Sequence, residues 1–513
     1  MKSRTLICIT AITLFAALAV PIGFAAQDDA VQANKPNHHH YKLVDLGTFG
    51  GPSSYLEIDN GVNGAPNQVV NSQGTVAGWG DTSTPDPYAP NCFNPYSPDC
   101  FLPHAFQWQK GVLTDLGVLP GGDASTTAWI SDTRLIAGQS RNGLLDPLIP
   151  GVPESRAVLW SDGKAIDLGT LGGNESSAFS VNNRGQVVGL ALNTIPDPFS
   201  FLVTQLRAFL WQHGVMHDLG TLGGPEAWAL FINERGQVAG FSLTNFTPNL
   251  TTGFPTQDPF LWEEGTMLDL GTLGGTVGSP NGLNIRGQVV GASNLAGDVT
   301  SHPFLWTKTG GIQDLGTFGG NNGVAQHIND GGEVVGSADF PGDQIHHAAL
   351  WRNRVMTDLG TVDGDPCSRG YGINARGQVV GGSSDCTTFL HAFLWEDGGP
   401  AIDLNTLVAP GSGLTLTQAG YINDRGEIAG SGVLASGDTH AFLLIPCQGD
   451  DESCEGENPA GLTQNSPAVT QRPATATPAN PALSDGPGRM PDRLRARRVP
   501  GLRTLGHGTG PAN

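Results

Sequence analysis

Three short strings recur eight times along this 513-residue chain, and no other feature restricts its fold as strongly. Asp-Leu-Gly begins at Asp45, Asp115, Asp167, Asp218, Asp269, Asp314 and Asp358, and Asp403-Leu404-Asn405 is the eighth copy. A second string is INERGQVAG at 232–240. It recurs as VNNRGQVVG, LNIRGQVVG, INDGGEVVG, INARGQVVG and INDRGEIAG, with weaker copies VNSQGTVAG from Val70 and ISDTRLIAG from Ile130. The third, HAFLW at 391–395, has the relatives HAFQW, RAVLW, RAFLW, DPFLW, HPFLW, HAALW and HAFLL. The Asp-to-Asp period runs from 70 down to about 45 residues. A fixed period of this size marks an array of supersecondary units.

One unit can be read residue by residue. Asn-x-x-Gly is a turn signature: Asn caps the turn, and Gly at the fourth position tolerates a left-handed backbone. β-branched residues flank it, so it joins two strands. HAFLW, a short turn and an apolar stretch ending in Asp-Leu-Gly read as a second hairpin. The runs AFLW and QVVG are apolar nearly throughout, which suits strands buried on both faces. Four short strands per unit match a propeller blade. The first Asp-Leu-Gly strand, 41–47, has no HAFLW before it, and the last HAFLW-type strand, 440–444, has no Asp-Leu-Gly after it. Pairing these leftovers closes a ring and removes exposed edges. The expected fold is therefore all-β: an eight-bladed β-propeller over 41–445, with the last blade closed by the N-terminal strand. A solenoid is the competing reading, but it calls for capping ends, and none is visible.

These strings resemble the HAF-repeat family of bacterial extracellular proteins. The resemblance covers about 41–445 and implies export and a repeat scaffold; it implies no activity, substrate or catalytic residue. The second unit departs from the pattern, with Ser131 in place of Asn and Arg134 in place of Gly. The strand layout is also similar to that of tryptophan–aspartate repeat propellers, an architectural likeness without functional content.

The flanks point the same way. Lys2 and Arg4 precede an apolar run from Leu6 to Val20, with small residues at 23–26, the order of a secretory signal peptide over 1–26. No later stretch is apolar for long enough to span a bilayer. A secreted or periplasmic location is expected. Residues 27–40 form a polar leader ending in three histidines, and 446–513 form a Pro/Ala/Arg-rich tail expected to be disordered. Its cluster Arg489, Arg493, Arg495, Arg497, Arg498 and Arg503 either touches an anionic surface or is simply solvated. Beyond Cys8, six cysteines fall into local pairs: Cys92 with Cys100, Cys367 with Cys386, and Cys447 with Cys454. Fifteen connectivities exist for six cysteines; short loops in an oxidising compartment favour this one, and a metal site is the alternative. The segment 41–445 holds 16 of the 26 basic and 38 of the 47 acidic residues, a net charge of −22. An acidic body argues against a nucleic-acid partner. A monomer is expected.

Residues repeated in every unit are expected to be structural. The series Trp108, Trp160, Trp211, Trp262, Trp306, Trp351 and Trp395, with Leu444 in the eighth place, reads as packing between blades. His104, His302, His347, His391 and His440 share a position that Arg or Asp fills elsewhere, so strand-end hydrogen bonding is expected. There is no phosphate loop, nucleophile elbow or HExxH. Asp363-Gly364-Asp365 is a weak calcium signature without a following Glu. No catalytic residue, cofactor or metal is assigned.

Function is then expected in what is not repeated. From the GQVVG glycine to the start of HAFLW the chain runs 26 positions in the first unit, 18 in the next three, and 11, 11, 10 and 10 in the last four. The long loops fall on one face, where the first unit's extra stretch 52–68 is also expected. They carry Tyr88, Phe93, Tyr96 and Phe101, then Phe199 and Phe201, then Phe246 and Phe254, among many prolines. Stiff loops bearing aromatics bind at low entropic cost; alternatively the rings cover one another. Two function classes follow. One is a non-catalytic binding scaffold for a surface glycan or an exported protein. The other is a propeller enzyme, a polysaccharide lyase or hydrolase using carboxylates such as Asp81, Asp86, Asp99, Asp146 and Asp197, two of which must face a cleft.

Overall fold

The computed structural model describes residues 40–56, 67–89, 92–93, 100–147, 151, 153–197, 200, 203–250, 252–396 and 398–447. The expected signal peptide, the leader before His40 and the tail beyond Cys447 lie outside these residues. Among the described residues the secondary structure is strand throughout, apart from one 3-10 turn at Leu404–Thr406. No helix there is long and apolar enough to cross a membrane.

Repeats 1 to 7 each form four antiparallel strands in chain order, as repeat 4 shows with Ala227–Ile232, Val238–Leu243, Gln257–Glu263 and Thr266–Asp269. Six sheets have four strands. A further one has eight because Gln257 makes a single parallel pairing with Val277 of repeat 5. Successive sheets pack face to face, which makes the fold a β-propeller. Trp160 of repeat 2 packs against Ala77 and Ala105 of repeat 1, and Trp306 of repeat 5 against Ala239 and Leu261 of repeat 4. Trp108 of repeat 1 packs against Ala429 and Leu443 of repeat 8. The strand Tyr41–Asp45 pairs with Thr439–Pro446, Val44 lying opposite Leu443.

The strings have distinct packing roles. The Phe of HAFLW is fully buried in six repeats, as at Phe260 and Phe442. The last Gly of GQVAG makes room for it. A Cβ on Gly240 would lie 1.9 Å from Trp228 O and 2.7 Å from Phe260 Cζ. In repeats 1, 5 and 6 the His at the start of the HAFLW string bonds through Nδ1 to the Asp of Asp-Leu-Gly on the adjacent strand, at 2.9 Å for His104–Asp115 and His347–Asp358, and at 2.8 Å for His302–Asp314. Arg207 and Asp218 make the same pair. The expected strand-end role therefore holds.

The Asn turns do more than turn. Asn233 Oδ1 accepts the N–H groups of Arg235 and Gln237, and Gly236 takes φ +82°, so a type I turn ends in a left-handed residue, the geometry of a three-residue hairpin loop. Asn233 Nδ2 meanwhile donates to Gln237 Oε1 and to the carbonyl of Asn284 in the next repeat. The same link runs from Asn71 to Ser131, Asn182 to Asn233, Asn284 to Asn329, Asn329 to Asn374, Asn374 to Asn423, and Asn423 to Asn71. Asp could hold its own turn this way but has no donor for the neighbour. Repeat 2 keeps the turn despite its substitutions. Ser131 Oγ replaces the Asn oxygen toward Leu135 N, and Arg134 sits at φ +65°.

The position two places before each turn residue brings rings of alternate repeats together. In chain order the residues there are Val69, Trp129, Ser180, Phe231, Gly282, His327, Gly372 and Tyr421, small and large in alternation. The Trp129 and Phe231 rings meet at 6.4 Å across Ser180, and His327 and Tyr421 at 6.1 Å across Gly372. Burial pushes His327 down to about 4, so it stands neutral among them.

One expected loop is partly strand. Gly50–Tyr55 pairs with the second strand of repeat 1, Ser54 opposite Gly80. The reason is that Ser54 Oγ accepts the Ala441 N–H, as Ser125 does for Ala105 and Ser368 for Ala348. The described start of that stretch, 52–55, therefore belongs to the sheet of repeat 1.

Candidate functional site

The hairpins formed by the second and third strands are longest in the first repeats. They run Val76–Pro85 with Phe101–Gln109, Ile136–Leu145 with Pro153–Ser161, and Val187–Pro196 with Thr204–Gln212. Their outermost pairs are Pro85–Phe101, Leu145–Pro153 and Pro196–Thr204. All sheets share one strand order, so these turns emerge together at the strand ends opposite the Asn turns. In repeat 4 a loop replaces the extension, held by Thr244 N–H to Thr256 O and Asn249 N–H to Phe254 O.

An Asp-Pro step follows each of the three extended strands, and its Asp turns inward: Asp86, Asp146 and Asp197 are all buried. Asp86 receives Arg141 of repeat 2 through two bonds, Nη1 to Oδ1 at 3.1 Å and Nη2 to Oδ2 at 2.8 Å. Its oxygens also accept the N–H groups of Tyr88 and Phe93. The Tyr88 and Phe93 rings lie 4.8 and 5.1 Å from the guanidinium carbon. A buried, paired and ring-covered guanidinium thus anchors hairpin 1 to the next blade. Asp146 plays a related part at the next junction, where it accepts Asn174 Nδ2 at 2.6 Å. Burial first, and then the hydrogen-bonded Asp146, push Glu175 up to about 8. Glu175 therefore holds its proton near neutral pH.

The structure divides the residues expected to bind. Tyr88 and Phe93 belong to the anchor of their own hairpin. Phe101 and Phe254 are half-buried, and Phe246 is 58% exposed. Tyr96, Phe199, Phe201 and Asp99 lie outside the described residues. Disulfides join Cys92 to Cys100 and Cys367 to Cys386. Cys447 is also disulfide-bonded, and Cys454 lies outside the described residues. Asp81, Asp86, Asp146 and Asp197 are buried.

Sequence reasoning missed the aliphatic tips. Leu144, Leu145, Ile195, Val203 and Leu250 are each more than half exposed on the hairpins of repeats 2 to 4. Val203 also takes φ +70°, a conformation a β-branched residue rarely adopts. Arg141 and Glu175 were missed as well. No clear local signal marked Arg141: it stands where repeats 3 and 4 have Leu192 and Leu243, but where repeats 1, 5 and 6 have Asp81, Asn294 and Asp339.

No family model and no curated protein matches the chain. Among solved structures it is similar to the β-propeller domain of the trilobed protease from Pyrococcus furiosus, which has an open velcro topology. The two are 10% identical with a TM-score of 0.38, over 65% of this chain and 93% of that one. It is also similar to TolB from Acinetobacter baumannii, at 11% identity and a TM-score of 0.29, over 61% of this chain and 64% of that one. Likenesses this distant carry no argument about activity.

Proposed function

We propose that this chain is an exported, non-catalytic interaction scaffold of the HAF-repeat kind, an eight-bladed ring whose long hairpins dock another exported protein. Three observations support eight blades and closure. The Asn links return from Asn423 to Asn71. The N-terminal strand completes the sheet of repeat 8. The residues two places before the turns alternate large and small, an arrangement that closes without a clash only for an even number of blades.

The observation that carries the docking reading is the set of exposed apolar tips, Leu144, Leu145, Ile195, Val203 and Phe246, held on hairpins with buried polar anchors. Apolar side chains displayed together on one face mark association surfaces. The strain of Val203 at a hairpin end fits a site kept for binding rather than for stability. A protein suits these tips better than a glycan, because four of the five are aliphatic and offer no ring face for a sugar to stack on.

The test is photo-crosslinking from Leu145 and Phe246 in cells secreting the protein, with Val355 on the opposite face as control. A discrete protein adduct from the hairpins alone, abolished by Leu144→Ser with Ile195→Ser, is the expected result. A positive glycan array with silent crosslinks would transfer the site to a sugar. Silence in both would refute the docking reading.

A further inference from the structure

Repeat 7 breaks the His–Asp pairing that repeats 1, 5, 6 and 8 keep, and a constellation of donors forms there. In repeats 1, 5, 6 and 8 the His ring bonds to the Asp of its own Asp-Leu-Gly strand. In repeat 7 the ring of His391 bonds instead through Nδ1 to Asp365 Oδ2, at 2.9 Å. Asp365 comes from the connector Val362-Asp363-Gly364-Asp365, where repeat 6 carries the neutral Phe318-Gly319-Gly320-Asn321. The residue left over is Asp403. Its Oδ1 accepts the N–H and the side-chain amide of Asn405, at 2.9 and 2.8 Å. A carboxylate oxygen of Asp363, a ring nitrogen of His391 and a carboxylate oxygen of Asp403 all lie within 4.8 Å of one another.

We propose that Asp363, His391 and Asp403 form a binding site for a divalent transition-metal ion such as Zn²⁺. Three carboxylates around one imidazole leave uncompensated negative charge, which a dication would neutralise. Two hard oxygens and one imidazole nitrogen suit zinc or a neighbouring first-row ion better than calcium, which takes six to eight oxygens. Donors bound at about 2.0–2.2 Å around a tetrahedral metal lie about 3.3–3.6 Å apart, so the three side chains close by up to about 1.4 Å on binding. Asp365 holds the ring as a positioning residue, the usual part of a carboxylate bonded to a metal-bound histidine. The Cys367–Cys386 disulfide ties the segment that carries Asp363 to the strand turn that leads to His391. Asp363 is exposed and the other two donors are half-buried, so solvent can fill the remaining coordination positions.

The test is calorimetric titration of the chelator-treated, oxidised full chain with Zn²⁺. Co²⁺ absorption reports imidazole coordination. His38, His39 and His40 can also bind metal, so a variant with all three changed to Ala is titrated beside the wild type. One stoichiometric Zn²⁺ site should survive that triple change and weaken at least tenfold in Asp363→Asn and in Asp403→Asn. Asp365→Asn should cost roughly 10–100-fold in affinity. Unchanged thermal melts of the metal-free variants would show that the fold is intact. Identical isotherms for wild type and the Asp363→Asn/Asp403→Asn pair would overturn the proposal, as would binding that vanishes with the histidine triplet alone.

Discussion

Replacing Arg141 with Met probes the anchor beneath the first long hairpin. The side chains of Arg141 and Asp86 are 2% and 0% exposed. Removing the guanidinium leaves the Asp86 carboxylate buried with two backbone donors, Tyr88 N at 3.0 Å and Phe93 N at 2.9 Å. Breaking a buried pair from one side costs about 3–5 kcal/mol. The loss falls on the hairpin, so native-state hydrogen exchange of 76–85 and 101–109 is the suitable assay. At about 1.4 kcal/mol per tenfold, exchange there should speed by roughly two to three and a half orders of magnitude. Amides of repeats 5 to 7 should not change. Asp86→Asn combined with Arg141→Met should recover part of the loss, because no unpaired charge then stays buried. A change below about 0.5 kcal/mol in Arg141→Met, or strict additivity of the two substitutions, would refute the anchoring role.

Two further predictions follow from local geometry. Arg134→Gly should stabilise the protein by about 1 kcal/mol in chemical denaturation, since a non-glycine residue in the left-handed region costs about 1–2 kcal/mol and Arg134 is exposed at φ +65°; a destabilised variant would contradict the turn reading. Glu175 is raised from 4.5 to about 8 in the folded chain, so the folded state holds the extra proton across that window. Its stabilising contribution is complete below about pH 4.5 and is lost as pH rises through about 8. Glu175→Gln should flatten this slope in stability measured from pH 5 to 8, and an unchanged slope would contradict the raised pKa of Glu175.

The sheet of each repeat was legible because its signals are local. Asn-x-x-Gly turns, apolar strands and the leftover strands at both ends could be read without knowing what packs where. The links between repeats were not legible. Asn233 looks the same in sequence whether or not its amide reaches Asn284, and only the fold sets those residues side by side. The alternation from Val69 to Tyr421 was present in the sequence, but its meaning depends on rings meeting across an intervening repeat. The roles of Tyr88 and Phe93 were hidden for a similar reason. A Tyr88 that covers a buried guanidinium and a Tyr88 offered to a ligand have the same local sequence, and Arg141, which decides between them, lies more than fifty residues away.

The proposed closure of the ring would set the first and last repeats side by side. It can be tested with one disulfide. Lys42 and Ile445 are partners across the antiparallel pair formed by the two ends of the folded chain, and such partners lie about 4.5–5.5 Å apart, within disulfide reach. Lys42→Cys with Ile445→Cys should form an intramolecular bond, read by non-reducing peptide mapping at low protein concentration, and the bond should raise resistance to unfolding. Free thiols, or only intermolecular bonds, in an otherwise folded protein would contradict a ring closed by its N-terminal strand.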